Sequence, residues 1–226
     1  MAGLTIVTWL WGTKYGPEYV SRLETGCRRQ IGQPFNFVVA EPHPADIWWT
    51  ERPGCLARVR MFDPEWQAAN GIGPGDRAVC MDLDSIVTGP LDPLFDRPEP
   101  FVILGGANAS NPCPFNGSLW MIRGGYAPET FYDLTAEAVA AVPFYEFPDD
   151  QAWFAARHPD AATWQAGRES GVYAFGKPGW PGGTDLPADA RLVVFPGWRD
   201  PAKFADLPWV RRHWLQFGIA PEPAGS

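Results

Sequence analysis

The chain has 226 residues, 46% of them apolar and 19% charged, and 18 basic against 26 acidic side chains leave a formal net charge of -8. That composition excludes a disordered, charge-dominated chain and supplies enough apolar material for one packed domain. It also disfavours a nucleic-acid partner, because the basic pairs Arg28-Arg29 and Arg211-Arg212 are too short to neutralise a phosphate backbone.

In chain order, the apolar run Leu4 to Thr8, β-branched at Ile6 and Val7, predicts a buried first strand. Gly12 and Gly16-Pro17 end it, and Pro17 is well placed to open a helix. Tyr19, Val20, Leu23, Cys27 and Ile31 recur near a period of 3.6, so residues 17 to 31 read as an amphipathic helix. Phe35 to Ala40 is a second strand, and strand-helix-strand opens an α/β fold with a mainly parallel sheet. A short helix over Leu56 to Phe62 follows. Then come a Gly-rich loop at Gly71 to Gly75, a strand over Arg77 to Met81 and an extended piece over Ser85 to Val87. Phe101 to Leu104, Ser118 to Ile122 and Leu192 to Phe195 complete the strands, and residues 128–141 and 150–157 read as helices. The 25 prolines and 24 glycines concentrate at 105–117, 176–187 and 196–225, which places long loops over one end of the sheet and a loose tail near 221–226.

Cys27, Cys55, Cys80 and Cys113 are widely spaced without a C-x-x-C, so reduced, mostly buried thiols are expected. The N-terminus lacks the charged start and apolar run of a secretory leader, and no segment approaches the roughly 20 apolar residues of a membrane span, so a soluble, cytoplasmic protein is expected. Twelve tryptophans suit a cleft that stacks on rings, although Trp9, Trp11, Trp48 and Trp49 read first as core.

The most informative stretch is Cys80-Met81-Asp82-Leu83-Asp84-Ser85. If the strand continues through it, Asp82 and Asp84 share one face about 7 Å apart while Leu83 faces the core. Paired carboxylates beside an apolar strand repel each other, and a hard divalent cation with oxygen ligands relieves that cost. The carboxyl end of a strand is also where open α/β sheets bind ligands.

The segment MDLDSIVTGPLDPLF (81–95) resembles the D-x-D region of bacterial GT-A fold glycosyltransferases related to the glycogenin-like, family 8-type nucleotide-diphospho-sugar transferases. VTWLWGTKYGPEYVSRL (7–23), PFNGSLWMIRGG (114–125) and DDQAWF (149–154) resemble further segments of that family in the same order, so the likeness spans roughly residues 4 to 210. It implies a GT-A-like α/β single domain. Asp84 would ligate Mn²⁺ or Mg²⁺, with Asp82 sharing the metal or reaching the ribose. Tyr15, with Thr8 and Trp9, would hold the base of a UDP-sugar; Arg58 would approach the diphosphate or sugar; Asn116, Asp150 and Gln151 would contact the transferred sugar. Asp150 is also the candidate general base. Where many relatives carry Phe-His-Gly followed by Lys-Pro, with the His as a metal ligand and the Lys on the leaving phosphate, this chain has Phe195-Pro196-Gly197, and Arg199 would replace the Lys as the phosphate contact. His158 and His213 are the remaining candidate ligands.

Local readings compete with these roles. Tyr15 also reads as a staple on the first helix, Asn116 as a turn residue before Gly117, and Asp149 or Asp150 as a helix N-cap. The residues also leave open a nucleotidyltransferase and a non-catalytic nucleotide-sugar or carbohydrate-binding protein. The acceptor hydroxyl is unspecified.

Overall fold

A computed structural model describes residues 2–43, 55–108, 112–144 and 149–216. Trp48, Trp49 and the tail at 221–226 lie outside the described residues.

The chain opens with β1 (Leu4–Trp9), α1 (Pro17–Gln30) and β2 (Asn36–Ala40). Pro17 occupies the first turn of α1, Glu18 lies beside its positive end, and Arg28 and Arg29 lie in its last turn, so the charges complement the helix dipole. Tyr19, Leu23, Gly26 and Cys27 are the face it buries. A 3₁₀ segment over Leu56–Phe62 leads into α2 (Pro64–Ala69), whose N-cap Asp63 accepts from the Glu65 amide at 3.0 Å. There follow β3 (Arg77–Met81), β4 (Ile86–Val87), α3 (Asp92–Phe95), β5 (Phe101–Gly105) and β6 (Phe115–Arg123). The remainder comprises α4 (Glu129–Tyr132), α5 (Ala136–Ala140), α6 (Asp150–Arg157), β7 (Ala162–Gln165), β8 (Val172–Ala174) and β9 (Leu192–Val194). Helical turns at Pro201–Phe204 and from Pro208–Val210 through Arg211–Leu215 close the described chain.

Six strands form the central sheet in the order β2-β1-β3-β6-β5-β7. The β1–β2, β1–β3 and β5–β7 pairings are parallel, and β6 runs against both its neighbours. The sheet is therefore mainly parallel, as the opening strand-helix-strand pattern implies. β4, β9 and β8 make a smaller second sheet.

Both faces of the central sheet are covered, and alternate residues of one strand enter opposite cores. Val79 and Met81 of β3, Leu119 and Met121 of β6, and Val102 and Leu104 of β5 pack with α1 and the second sheet. Ala78, Cys80, Trp120, Ile122, Phe101 and Ile103 pack on the other side with the 3₁₀ segment and α6. The alternating halves of each strand thus serve two separate apolar layers.

Candidate active site

The carboxyl ends of β1 and β3 lie side by side, tied where the Thr8 hydroxyl donates to the Met81 carbonyl at 2.9 Å. Because β6 is reversed, its first residues lie at this same end, and the Asp82 amide donates to the Ser118 carbonyl at 3.0 Å. β8 and β9 are parallel, so Lys177 after β8 and Phe195 to Gly197 after β9 also converge here. These strand ends enclose a cavity of about 630 Å³. The cavity therefore sits where the carboxyl ends of β1, β3, β8 and β9 meet the start of the reversed β6.

β3 stops at Met81, and Asp82 to Ser85 form a turn closed by the Ser85 amide on the Asp82 carbonyl at 3.1 Å. The expectation that strand alternation aligns the two acids is thereby corrected. A turn brings both of them to the cavity wall, and Leu83 between them is a buried core residue as expected.

Arg58 organises the wall. It is 4% exposed, and its guanidinium pairs with Asp82 Oδ1 through Nη1 and with Asp150 Oδ2, at 2.6 Å, through Nη2. Asp150, 2% exposed, uses Oδ1 to accept from the Gln151 amide at 2.9 Å. Burial pushes the Asp150 carboxyl up to about 7 despite the opposing pull of Arg58. A general base must reach an acceptor hydroxyl; Asp150 belongs to the cavity lining, but its carboxylate is buried and held by Arg58. The geometry thus weighs against Asp150 as the base and makes it the anchor of Arg58. Asp149, not Asp150, caps α6, accepting from the Ala152 amide at 3.0 Å.

The opposite side of the wall is Tyr15, whose hydroxyl donates to Asp84 Oδ2 at 2.5 Å. Asp84 is buried, and burial together with the Asp82 charge pushes its carboxyl up to about 7. Trp9 and Trp11 also line the cavity, while Thr8 is wholly buried and acts on the backbone of β3 instead of facing a ligand. Asn116 belongs to β6, not a turn; its Oδ1 accepts from the Ser118 amide at 3.1 Å, and it lines the cavity with Gln151. Gln151 Oε1 accepts from the Gly117 amide at 3.0 Å.

Gly117 is required by this packing. A Cβ there would stand 2.6 Å from Arg58 Nη2 and 3.0 Å from Asp150 Oδ1. Gly117→Ala is expected to displace the guanidinium and lower stability by about 1–3 kcal/mol, read as a shifted urea midpoint at unchanged slope.

Asp82 and Asp84 each commit one carboxylate oxygen, to Arg58 and Tyr15, and keep the second without a hydrogen-bond partner among the described residues. Two spare oxygens from neighbouring acids, one carboxyl pushed up by burial and then by the charge of the other, fit a divalent cation as a two-ligand site. Among the described residues no group of three or more His, Cys, Asp or Glu side chains is gathered as a metal site. Pro196 is in the cavity wall and brings no side-chain donor atom. His158 stacks on Phe62 and contacts the Thr130 hydroxyl at 2.8 Å, in the core behind the wall. Neither His158 nor His213 lines the cavity. Arg199 does not line it either, whereas Lys14 and Lys177, which the sequence reading did not single out, do.

In fold the chain is similar to the glycosyltransferase GlyE of Streptococcus pneumoniae TIGR4, at 12% identity and a TM-score of 0.58, over 100% of this chain and 67% of that one. It is also similar to an active-site mutant of LgtC, at 12% identity and a TM-score of 0.59, over 96% of this chain and 98% of that one. The chain has the GT-A glycosyltransferase fold. The galactosyltransferase LgtC with donor and acceptor sugar analogues shares this fold at 12% identity and a TM-score of 0.57, over 96% and 98% of the two chains. No family model and no curated protein matches the sequence. Within the GT-A fold the assignment of roles to particular residues accordingly rests on the cavity itself. Among the described residues no helix is long and apolar enough to cross a membrane.

Proposed function

We propose that this chain is a glycosyltransferase that moves a sugar from a nucleoside-diphosphate donor, UDP-sugar first, to an acceptor hydroxyl. The observation that carries the reading is the pair Asp82 and Asp84, each with a spare oxygen, on the wall of a cavity at the strand ends of a GT-A fold. Asp82 and Asp84 would hold Mn²⁺ or Mg²⁺, which when bound supplies positive charge against the negative charge growing on the departing nucleoside diphosphate.

The chain's own residues do the rest. Trp9 and Tyr15 form the aromatic side of the cavity and take the base, with Thr8 holding the end of β3 beneath them. Tyr15 also steadies Asp84 through its hydroxyl. Arg58 fixes Asp82 and Asp150, so the acid on the turn is held before any donor arrives. Asn116 and Gln151 present amide groups suited to sugar hydroxyls. The LgtC mutant similar in fold carries a glutamine-to-glutamate change in its active site, and a glutamine, Gln151, also faces the cavity here.

A thermal-shift panel of UDP- and GDP-sugars, with and without Mn²⁺, tests the reading. One donor at a hundred times its Kd is expected to raise Tm by about 5 °C or more, and only with Mn²⁺. The shift is expected to be larger at pH 8 than at pH 6, because a carboxyl titrating at about 7 keeps its proton below that pH and the cation must displace it. If no nucleotide sugar stabilises the protein under either condition, the reading fails. Release of pyrophosphate in place of nucleoside diphosphate would identify a nucleotidyltransferase.

A further inference from the structure

Trp198 directly follows Pro196 and Gly197, which are part of the cavity wall. Of the described tryptophans it alone is exposed, at 66%, whereas the rest are buried or half-buried. Gly197 has φ 77°, in the left-handed region, so the chain turns sharply as it leaves the wall and sets the next side chain at the cavity mouth. The other exposed large apolar residues, Val39 and Tyr132, adjoin no residue of that wall in the chain.

The ring is exposed and yet held. The Trp198 carbonyl accepts from Lys203 Nζ at 2.7 Å. Asp200, two residues on, accepts from the Tyr19 hydroxyl of α1 and from the Ala202 amide, each at 2.8 Å. The Trp198 ring lies 6.3 Å from that of Phe204, which packs on the buried Phe175 and Phe195 at 4.8 and 6.0 Å. The Arg199 guanidinium and the Lys203 ammonium stand 5.1 and 5.5 Å from the Trp198 ring centroid, and Arg199 Nη2 donates to the Gly176 carbonyl at 3.2 Å. An indole fixed in water adds little burial to the fold, and its open face is left for a ligand.

We propose that Trp198 is the platform on which the acceptor stacks at the cavity mouth, and that the acceptor is a saccharide. The inference rests on the glycosyltransferase reading and adds to it the class of acceptor. A pyranose offers one face of C–H groups to an aromatic ring and keeps its hydroxyls at the rim. Arg199 and Lys203 flank the platform with N–H donors beyond those used in holding the loop, suited to hydroxyl oxygens. A serine or threonine hydroxyl on a polypeptide presents no such face. An indole beside two cations also suits an anionic membrane surface, but its continuity with the cavity wall favours the sugar.

The test is saturation-transfer NMR with methyl glucoside, maltose, cellobiose and lactose, in the presence of UDP and Mn²⁺. The wild-type protein is expected to transfer saturation to the C–H protons of at least one of these sugars. Trp198→Ala should weaken its binding about tenfold, Trp198→Tyr should retain most of it, and Trp198→Leu, apolar but not aromatic, should lose it. Because the ring is exposed, each variant should keep its Tm within about 2 °C, which shows that it is folded. No transfer to any of the four sugars, or equal binding by Trp198→Ala, would overturn the platform and leave the nucleotide-sugar reading standing. Cosedimentation with phosphatidylglycerol vesicles that Trp198→Leu keeps and Trp198→Ala loses, without sugar binding, would identify a membrane contact in its place. Failure of every UDP- and GDP-sugar to raise the wild-type Tm is the separate sign that the glycosyltransferase reading is wrong, and the acceptor role of Trp198 falls with it.

Discussion

Asp84→Ala is expected to lower sugar transfer by about 100- to 1000-fold and to abolish Mn²⁺-dependent stabilisation by the donor, without lowering the Tm of the unliganded protein. The three outcomes follow from one environment. Asp84 is buried and near Asp82, and these two influences raise its carboxyl from 3.8 to about 7. A pKa raised on folding means that the ionised group is disfavoured in the native state: between about 3.8 and 7 the folded chain holds a proton that the unfolded chain has released. Stability is therefore lost as pH rises through this window, and alanine removes that loss while leaving Tyr15 without its acceptor. A carboxylate that burdens the unliganded fold and is kept at a cavity wall is the pattern expected of a functional group. Full transfer by Asp84→Ala, measured as nucleoside diphosphate released from an identified donor, would show that the carboxylate has no part in the reaction.

The second large effect is on stability. Arg58→Ala is expected to cost about 3–5 kcal/mol and to lower Tm by roughly 10 °C, since it strands Asp150 in the interior without its cation. The deficit should shrink as pH falls from 8 to 5. Asp150 already titrates at about 7 with Arg58 in place. Loss of the guanidinium removes an influence that lowers it, so protonation at lower pH relieves the stranded charge. Adding Asp150→Asn to Arg58→Ala should recover part of the loss, because an amide in the same place carries no charge to bury. Chemical denaturation at the two pH values checks both statements. An unchanged midpoint in Arg58→Ala would mean that the ion pairs contribute nothing to holding the wall.

Local pattern carried much of the fold into view. The β1-α1-β2 opening, β3 and α6 appear where period and punctuation place them, with boundaries differing by one residue at most. The misses have physical causes. The span 128–141 is two short helices, because Thr135 accepts from the Ala138 amide at 3.1 Å and starts a new helix. Leu56–Phe62 is helical as expected but of 3₁₀ form, and its Arg58 finds its partners, Asp82 and Asp150, far along the chain. α2 was legible in Asp63-Pro64, an N-cap followed by a first-turn proline, but β7 and β8 are too short to show a period. β6 begins three residues earlier than its apolar run, since Phe115, Asn116 and Gly117 are drawn into the sheet beside β5.

The site divides in the same way. Asp82 and Asp84 stood out because charge at the end of an apolar strand is costly and therefore informative. Lys14 and Lys177 did not, since a lysine in a Gly- and Pro-rich turn carries no sign of the direction it faces. Arg199 illustrates the converse: its charge suggested a phosphate, and its partner is the Gly176 carbonyl.

The four thiols, none of them in a disulfide, are distributed so that the two apolar layers can be followed independently. Cys27 lies in the layer beneath α1, and Cys80 and Cys113 lie in the layer on the far face of the central sheet. Burial raises the Cys27 thiol to about 12, and it likewise lifts Cys80, so neither is a ready nucleophile while its layer stays closed. Alkylation by an added reagent therefore clocks transient opening, one side at a time, and peptide mass spectrometry would tell which half of the molecule breathes first as temperature rises.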